Sequence, residues 1–147
     1  MPRPYLDTTR DIMNFMDENT QYGGFRKPAW APPAWLFAPV WTLLYAIIAW
    51  SFGVVFYSTF TGILLWTVSI PFVLNLIFNF AFIPIEFVLK KRAWALVDIF
   101  LTVGTLIWAM LMVWPFWPWV ALVNIPYLLW LMFATVLQAT VVAMNRP

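Results

Sequence analysis

The chain contains no cysteine and no histidine. Absent cysteine removes disulfides, thiolate nucleophiles and cysteine-based metal sites. Absent histidine removes the commonest general base and the imidazole ligand most often used for transition metals and haem iron. Charge is scarce too: Asp, Glu, Lys and Arg make up 10% of the 147 residues, where a soluble domain carries roughly 25%. With 64% hydrophobic residues a water-facing surface cannot be assembled, so an integral membrane protein of one domain is expected. The first 24 residues lack the apolar run of a cleavable signal, and none is expected. The net charge of +2 is no nucleic-acid signal, because the basic residues flank apolar runs and form no continuous stripe.

What the chain does have is long apolar runs. Four of them, at about 36–60, 63–87, 93–114 and 119–144, each exceed the roughly 20 residues a helix needs to cross a bilayer. Helices satisfy their own backbone polar groups, so the expectation is an all-α transmembrane bundle of four spans over residues 25–147. Residues 1–24 are polar, with Asp7, Asp11, Asp17 and Glu18 among them. Thr8 and Asp11 have the spacing of a capping box, and Ile12, Phe15 and Met16 follow at helical spacing. This predicts a short amphipathic helix over about 9–18, whose reach of about 15 Å is half a bilayer core and cannot span it.

The basic residues report topology. Arg3, Arg10, Arg26 and Lys27 precede the first span, Lys90, Lys91 and Arg92 separate the second from the third, and Arg146 follows the fourth. Four spans put all of them on one face, which the positive-inside rule assigns to the cytoplasm, together with the segment before the first span and the C-terminus. The uncharged connection WPFWPW, 114–119, belongs at a headgroup layer.

Tryptophan and proline concentrate in 27–45, KPAWAPPAWLFAPVWTLLY. Prolines 28, 32, 33 and 39 predict a non-helical lid over 25–38, with Pro39 in the first turn of the following helix, where its missing N–H costs nothing. Trp30, Trp35 and Trp41 suit either a plain interfacial anchor or an ordered lid. Inside the spans, Asn75 and Asn79 share one helical face with Phe78 and Phe82 beside it. Such a ladder is either glue between helices or the polar edge of a pocket. Pro71 is expected to bend the second span and open space at its level. Asp98 reads as a shallow carboxylate near a helix N-terminus, beside Lys91 and Arg92, with a buried acid as the alternative. Trp130, Ala134 and Leu137, with Gln138 beside them, fit core packing or a pocket wall.

The 27–45 stretch closely resembles the signature of the tryptophan-rich sensory protein family, also called the translocator protein family. The likeness runs from Tyr22 to Met144 and includes the pair Leu74–Asn75, AWALVDI at 93–99 and PYLLWLMFATVL at 126–137. The resemblance implies a membrane receptor or sensor that binds tetrapyrroles such as protoporphyrin and haem, or similar flat hydrophobic ligands, sterols included in some members. No cofactor is required; the porphyrin is a ligand, and this chain offers no histidine to hold haem iron. Carried onto this sequence, the resemblance puts Trp41, Tyr45, Asn75 and Trp130 in the pocket, with Phe78 and Asn79 at the signature's next positions, Ala134 and Leu137 on the far wall and Trp30 in the lid. It also leaves open a light-dependent breakdown of porphyrin involving Trp41 and Trp130.

The departures are specific. Members usually carry five membrane helices, and here the first 24 residues are too polar and short to supply the first, so that helix is expected to be missing. One wall of the bundle would then be open to lipid, or covered by a second copy in a homodimer or by another membrane protein. Phe78 and Asn79 replace a usual tryptophan and serine, Gln138 a usual asparagine, and Ala139 the tyrosine of the sterol motif, which argues against sterol binding. Two other readings remain: a small-molecule transporter, with Asp98 as its acid, and a structural partner for another membrane protein.

Overall fold

The structure is a computed structural model that describes residues 28–145. Four helical spans run alternately up and down. α1 is Ala34–Phe60, α2 is Trp66–Ile83 and continues into a π-helical turn at Pro84–Val88, and α3 is Arg92–Val113. The fourth span is broken into α4, Pro118–Val123, and α5, Ile125–Met144. All four are long and apolar enough to cross a membrane. The expectations for residues 1–24, the amphipathic helix and the missing first span, lie outside the described residues.

Each helix turns one stripe inward. On α1 the buried positions are Leu44, Ile48, Ser51, Phe52, Val55, Ser58 and Thr59; on α3 they are Ala95, Asp98, Ile99, Thr102, Thr105, Leu106, Ala109 and Val113. Both sets repeat every three or four residues, the period of one helical face. Small residues on α3 let α2 approach closely, as expected where lipid gives no hydrophobic drive between helices. Hydroxyls in the spans are mostly spent on their own helix: those of Ser51, Thr59, Thr102, Thr105 and Thr135 each bond a carbonyl four residues back at 2.7–2.9 Å.

Two helix ends differ from the sequence expectation. Pro33, with extended backbone angles, caps α1, so the helix starts at Ala34 and Pro39 stands in its second turn. There the missing N–H leaves the Trp35 carbonyl without its helical donor, a loss confined to one bond near the helix end. The fourth span is not continuous. Pro126 at the second position of α5 cannot donate back into α4, and Asn124 takes up the break by bonding the Val120 carbonyl at 2.8 Å and the Ser51 hydroxyl of α1 at 3.0 Å.

The connections are set by local chemistry. Gly62, at φ +80°, ends α1: its N–H reaches Thr59 O at 3.1 Å, and the Ile63 N–H reaches Ser58 O at 2.8 Å, a Schellman closure that only a residue tolerant of positive φ makes without strain. At the other end of the bundle, Pro84 lacks an N–H, and the chain widens so that the Leu89 N–H bonds the Pro84 carbonyl five residues back at 2.9 Å. That wide turn swings Glu86 inward, where it is 3% exposed.

Candidate functional site

A cleft of about 350 Å³ lies between the spans at the end where α1 begins and α5 ends. α1 supplies Phe37, Trp41 and Tyr45; α2 and its wide turn supply Asn79, Phe82, Ile83, Glu86 and Phe87. Ile99 and Thr102 of α3 form the back, and Trp130, Leu131, Ala134, Leu137 and Gln138 of α5 form the remaining wall. The volume falls in the usual range of small-molecule sites, roughly 300–1,000 Å³. Ala134 is the one small side chain among the lining residues of α5.

The rings brace one another. Phe37 meets Trp130 edge-on with centroids 5.6 Å apart, and Trp130 lies 5.4 Å from Phe133. Further along α1, Trp41 and Tyr45 are 5.4 Å apart, and Tyr45 stacks on Phe80 at 6.1 Å. These offset and edge-on arrangements are the favourable ones for aromatic quadrupoles.

Below the cleft the polar groups are knotted. The Tyr45 hydroxyl donates to Asn79 Oδ1 at 2.9 Å, and Asn79 Nδ2 donates to the Tyr127 hydroxyl at 2.7 Å. Tyr127 donates to Asn75 Oδ1 at 3.0 Å, and Asn75 Nδ2 donates to the Thr102 carbonyl at 2.9 Å. All four bonds run the same way along the chain of groups, so each polarises the next. The series ties α1, α2, α5 and α3 together and sets which way the Asn79 amide points. At the mouth, Gln138 Nε2 donates to Glu86 Oε2 at 2.8 Å and reaches the Arg92 carbonyl at 3.3 Å. The buried indole N–H of Trp130 has no acceptor among the described residues.

Of the residues singled out in the sequence, Trp41, Tyr45, Asn79, Trp130, Ala134 and Leu137 come together around the cleft. Asn75 is fully buried one turn deeper, as glue between α2, α3 and α5. Phe78 is half-buried and is not in the lining; Trp30 is 51% exposed and stands edge-on to Phe133 at 6.1 Å. Asp98, two turns into α3, is buried, as in the alternative weighed for it, and it does not line the cleft. Pro71 is buried in the packed half, so the space lies level with Pro84 instead. Sequence reasoning passed over Glu86 and Tyr127. A charge at the end of an apolar run reads as a solvated helix terminus, and a tyrosine near a WPFWPW loop reads as an interfacial anchor. Only the wide turn after Pro84 and the break at Asn124 bring the two inside.

Comparison with known proteins gives a consistent result. The sequence model of the TspO/MBR family matches residues 7–144, reaching further toward the N-terminus than the motifs do. The translocator protein of Homo sapiens is 33% identical over 120 residues, 80% of this chain and 70% of that protein. The translocator protein of Bos taurus is 36% identical over 121 residues, with the same coverage of both chains. The tryptophan-rich protein TspO of Bacillus cereus is 33% identical over 131 residues, 89% of this chain and 84% of that protein.

Proposed function

This chain is a member of the TspO/MBR family, and on that premise we propose that it is a membrane receptor or sensor that takes a flat hydrophobic ligand, a tetrapyrrole such as protoporphyrin or haem, into the cleft between its spans. The observation that carries this reading is the pair of indoles, Trp41 of α1 and Trp130 of α5, in the lining of one 350 Å³ cavity together with the small side chain of Ala134. Large rings contributed by two helices suit the faces of a macrocycle, and the Trp130 N–H, without an acceptor among the described residues, offers it a donor. Axial iron ligation by imidazole has no part in it, since the sequence has no histidine. Proton-coupled export through Asp98 has less support, because Asp98 lies outside the cleft.

The proposal includes sidedness and assembly. The segment before α1, the turn at Lys90–Arg92 and the C-terminus face the cytoplasm, on the strength of the one-sided bases. A homodimer covers part of the aromatic outer face of α1, where Trp50, Tyr57 and Phe60 are exposed. Because the sequence has no cysteine, single cysteines introduced at Lys90 and at Phe116 can be labelled without background by an impermeant maleimide; Phe116 alone reacting from outside intact cells is the expected result. Mass measurement in nanodiscs reads the dimer.

The ligand is tested by titrating detergent-solubilised protein with protoporphyrin and following tryptophan quenching. Trp41→Phe and Trp130→Phe are each expected to weaken binding about tenfold, a loss of about 1.4 kcal/mol. Unchanged affinity in both variants overturns the reading.

A further inference from the structure

A second cavity, of about 390 Å³, lies between α1 and α5. Val40, Leu43 and Leu44 line it from α1, and Leu129, Trp130 and Phe133 from α5. No charged side chain lines it, and the Trp130 indole is its one hydrogen-bonding side chain. Leu43 and Leu129 are exposed, so in a membrane this groove opens onto hydrocarbon. The seam exists because α5 packs closely against α3 and only loosely against α1. It lies at 40–44 of α1, short of the Trp50–Phe60 face assigned above to a second copy.

Trp130 is the one residue common to the linings of this groove and the cleft. Rings hold it: Phe37 stands edge-on at 5.6 Å and Phe133 lies at 5.4 Å. Its N–H has no acceptor among the described residues, so turning the indole aside breaks no hydrogen bond there. Ring contacts given up in that motion are replaceable by contacts with an incoming aromatic ligand. The cleft mouth differs. There Gln138 donates to Glu86 at 2.8 Å, and parting the two strands buried polar groups.

The geometry points to a side passage: a flat hydrophobic molecule dissolved in the bilayer seats in the α1–α5 groove and enters the cleft as Trp130 swings aside. This rests on the cleft being a ligand site, as proposed above, and names the route by which that site fills. The occupant of the groove is the ligand in transit, because hydrocarbon concentrates apolar molecules at an opening this apolar. The cleft lies at the end of the bundle where α1 begins, so the acids of a tetrapyrrole stay at the headgroup layer while its ring goes through.

The test is kinetic and uses the full chain in nanodiscs. Leu43→Trp and Leu129→Trp, alone and together, fill the groove without altering any residue of the cleft lining. Protoporphyrin binding and release are followed by stopped-flow porphyrin fluorescence. The double variant is expected to bind and to release about tenfold more slowly, with affinity within about twofold. Leu129→Ala, which widens the groove, should speed both rates several-fold. Ile107→Trp, on an exposed face of α3 that lines neither cavity, should change nothing. Equal slowing in both directions is the mark of a doorway; a loosened fold changes affinity instead.

A second probe does not depend on tetrapyrroles. Because the chain has no cysteine, Ala134→Cys places a single thiol in the cleft lining. N-(1-pyrenyl)maleimide, a flat apolar reagent delivered in lipid, labels it as the thiol adds across the maleimide double bond. The groove-filling pair should slow this labelling about tenfold. If either probe that reaches the cleft keeps its wild-type rate in the double variant, or Ala134→Cys is not labelled at all, the passage is overturned; protoporphyrin affinity then judges the binding reading separately. Slowed labelling with no protoporphyrin binding sinks the tetrapyrrole reading and leaves the passage standing. If the double variant does not fold, Leu129→Ala decides, and exchange no faster than wild type overturns the passage.

Discussion

The two ends of the bundle are built on opposite plans. At the end where α1 finishes, Phe52, Val55, Phe72, Leu106, Val113 and Val120 are all but inaccessible and form one apolar core. At the other end the helices stand around a cavity, and burial falls to aromatic rings, Glu86 and Gln138. The boundary is the bond series from Tyr45 to Thr102. The difference teaches that this small bundle concentrates its inaccessible apolar packing in one half and leaves its cavity in the other.

The sharpest way to break that division is to hollow the packed half. Phe52→Ala should cost about 3–5 kcal/mol, read as a lower unfolding midpoint in detergent, while porphyrin affinity of the folded fraction stays within about twofold. Next is the boundary. Tyr127→Phe strands Asn79 Nδ2 and Asn75 Oδ1, should cost about 1–3 kcal/mol, and should also weaken ligand binding, because the Asn79 amide loses its orientation. A smaller effect, confined to the cleft, is expected of Ala134→Leu. A larger side chain in the lining should lower porphyrin affinity about tenfold, about 1.4 kcal/mol, with the unfolding midpoint held or raised. The smallest is Ser51→Ala. It removes one of the two contacts of the Asn124 amide and should cost about 0.6 kcal/mol, the mean for a hydrogen bond between membrane helices, with no change in ligand affinity.

The site was legible in the sequence to different depths on different helices. Trp41, Tyr45, Asn79, Trp130 and Ala134 share helical faces with their neighbours, and family motifs mark them, so their meeting could be anticipated. Glu86 could not be placed this way. Its direction depends on the extra residue in the turn after Pro84, and a one-residue change rotates every later side chain by about 100°. Tyr127 was hidden for a related reason, since its depth depends on the break at Asn124.

Composition and periodicity were enough to anticipate the four helices, among the described residues, that are long and apolar enough to span a membrane, because a helix satisfies its own backbone in lipid. They also marked which helical faces carry polar groups. Which of those groups close on each other and which border the cavity was decided only in three dimensions. A hydrogen bond is made or lost over a few tenths of an ångström, and that distance is set by how the helices pack, not by the spacing of residues along any one of them.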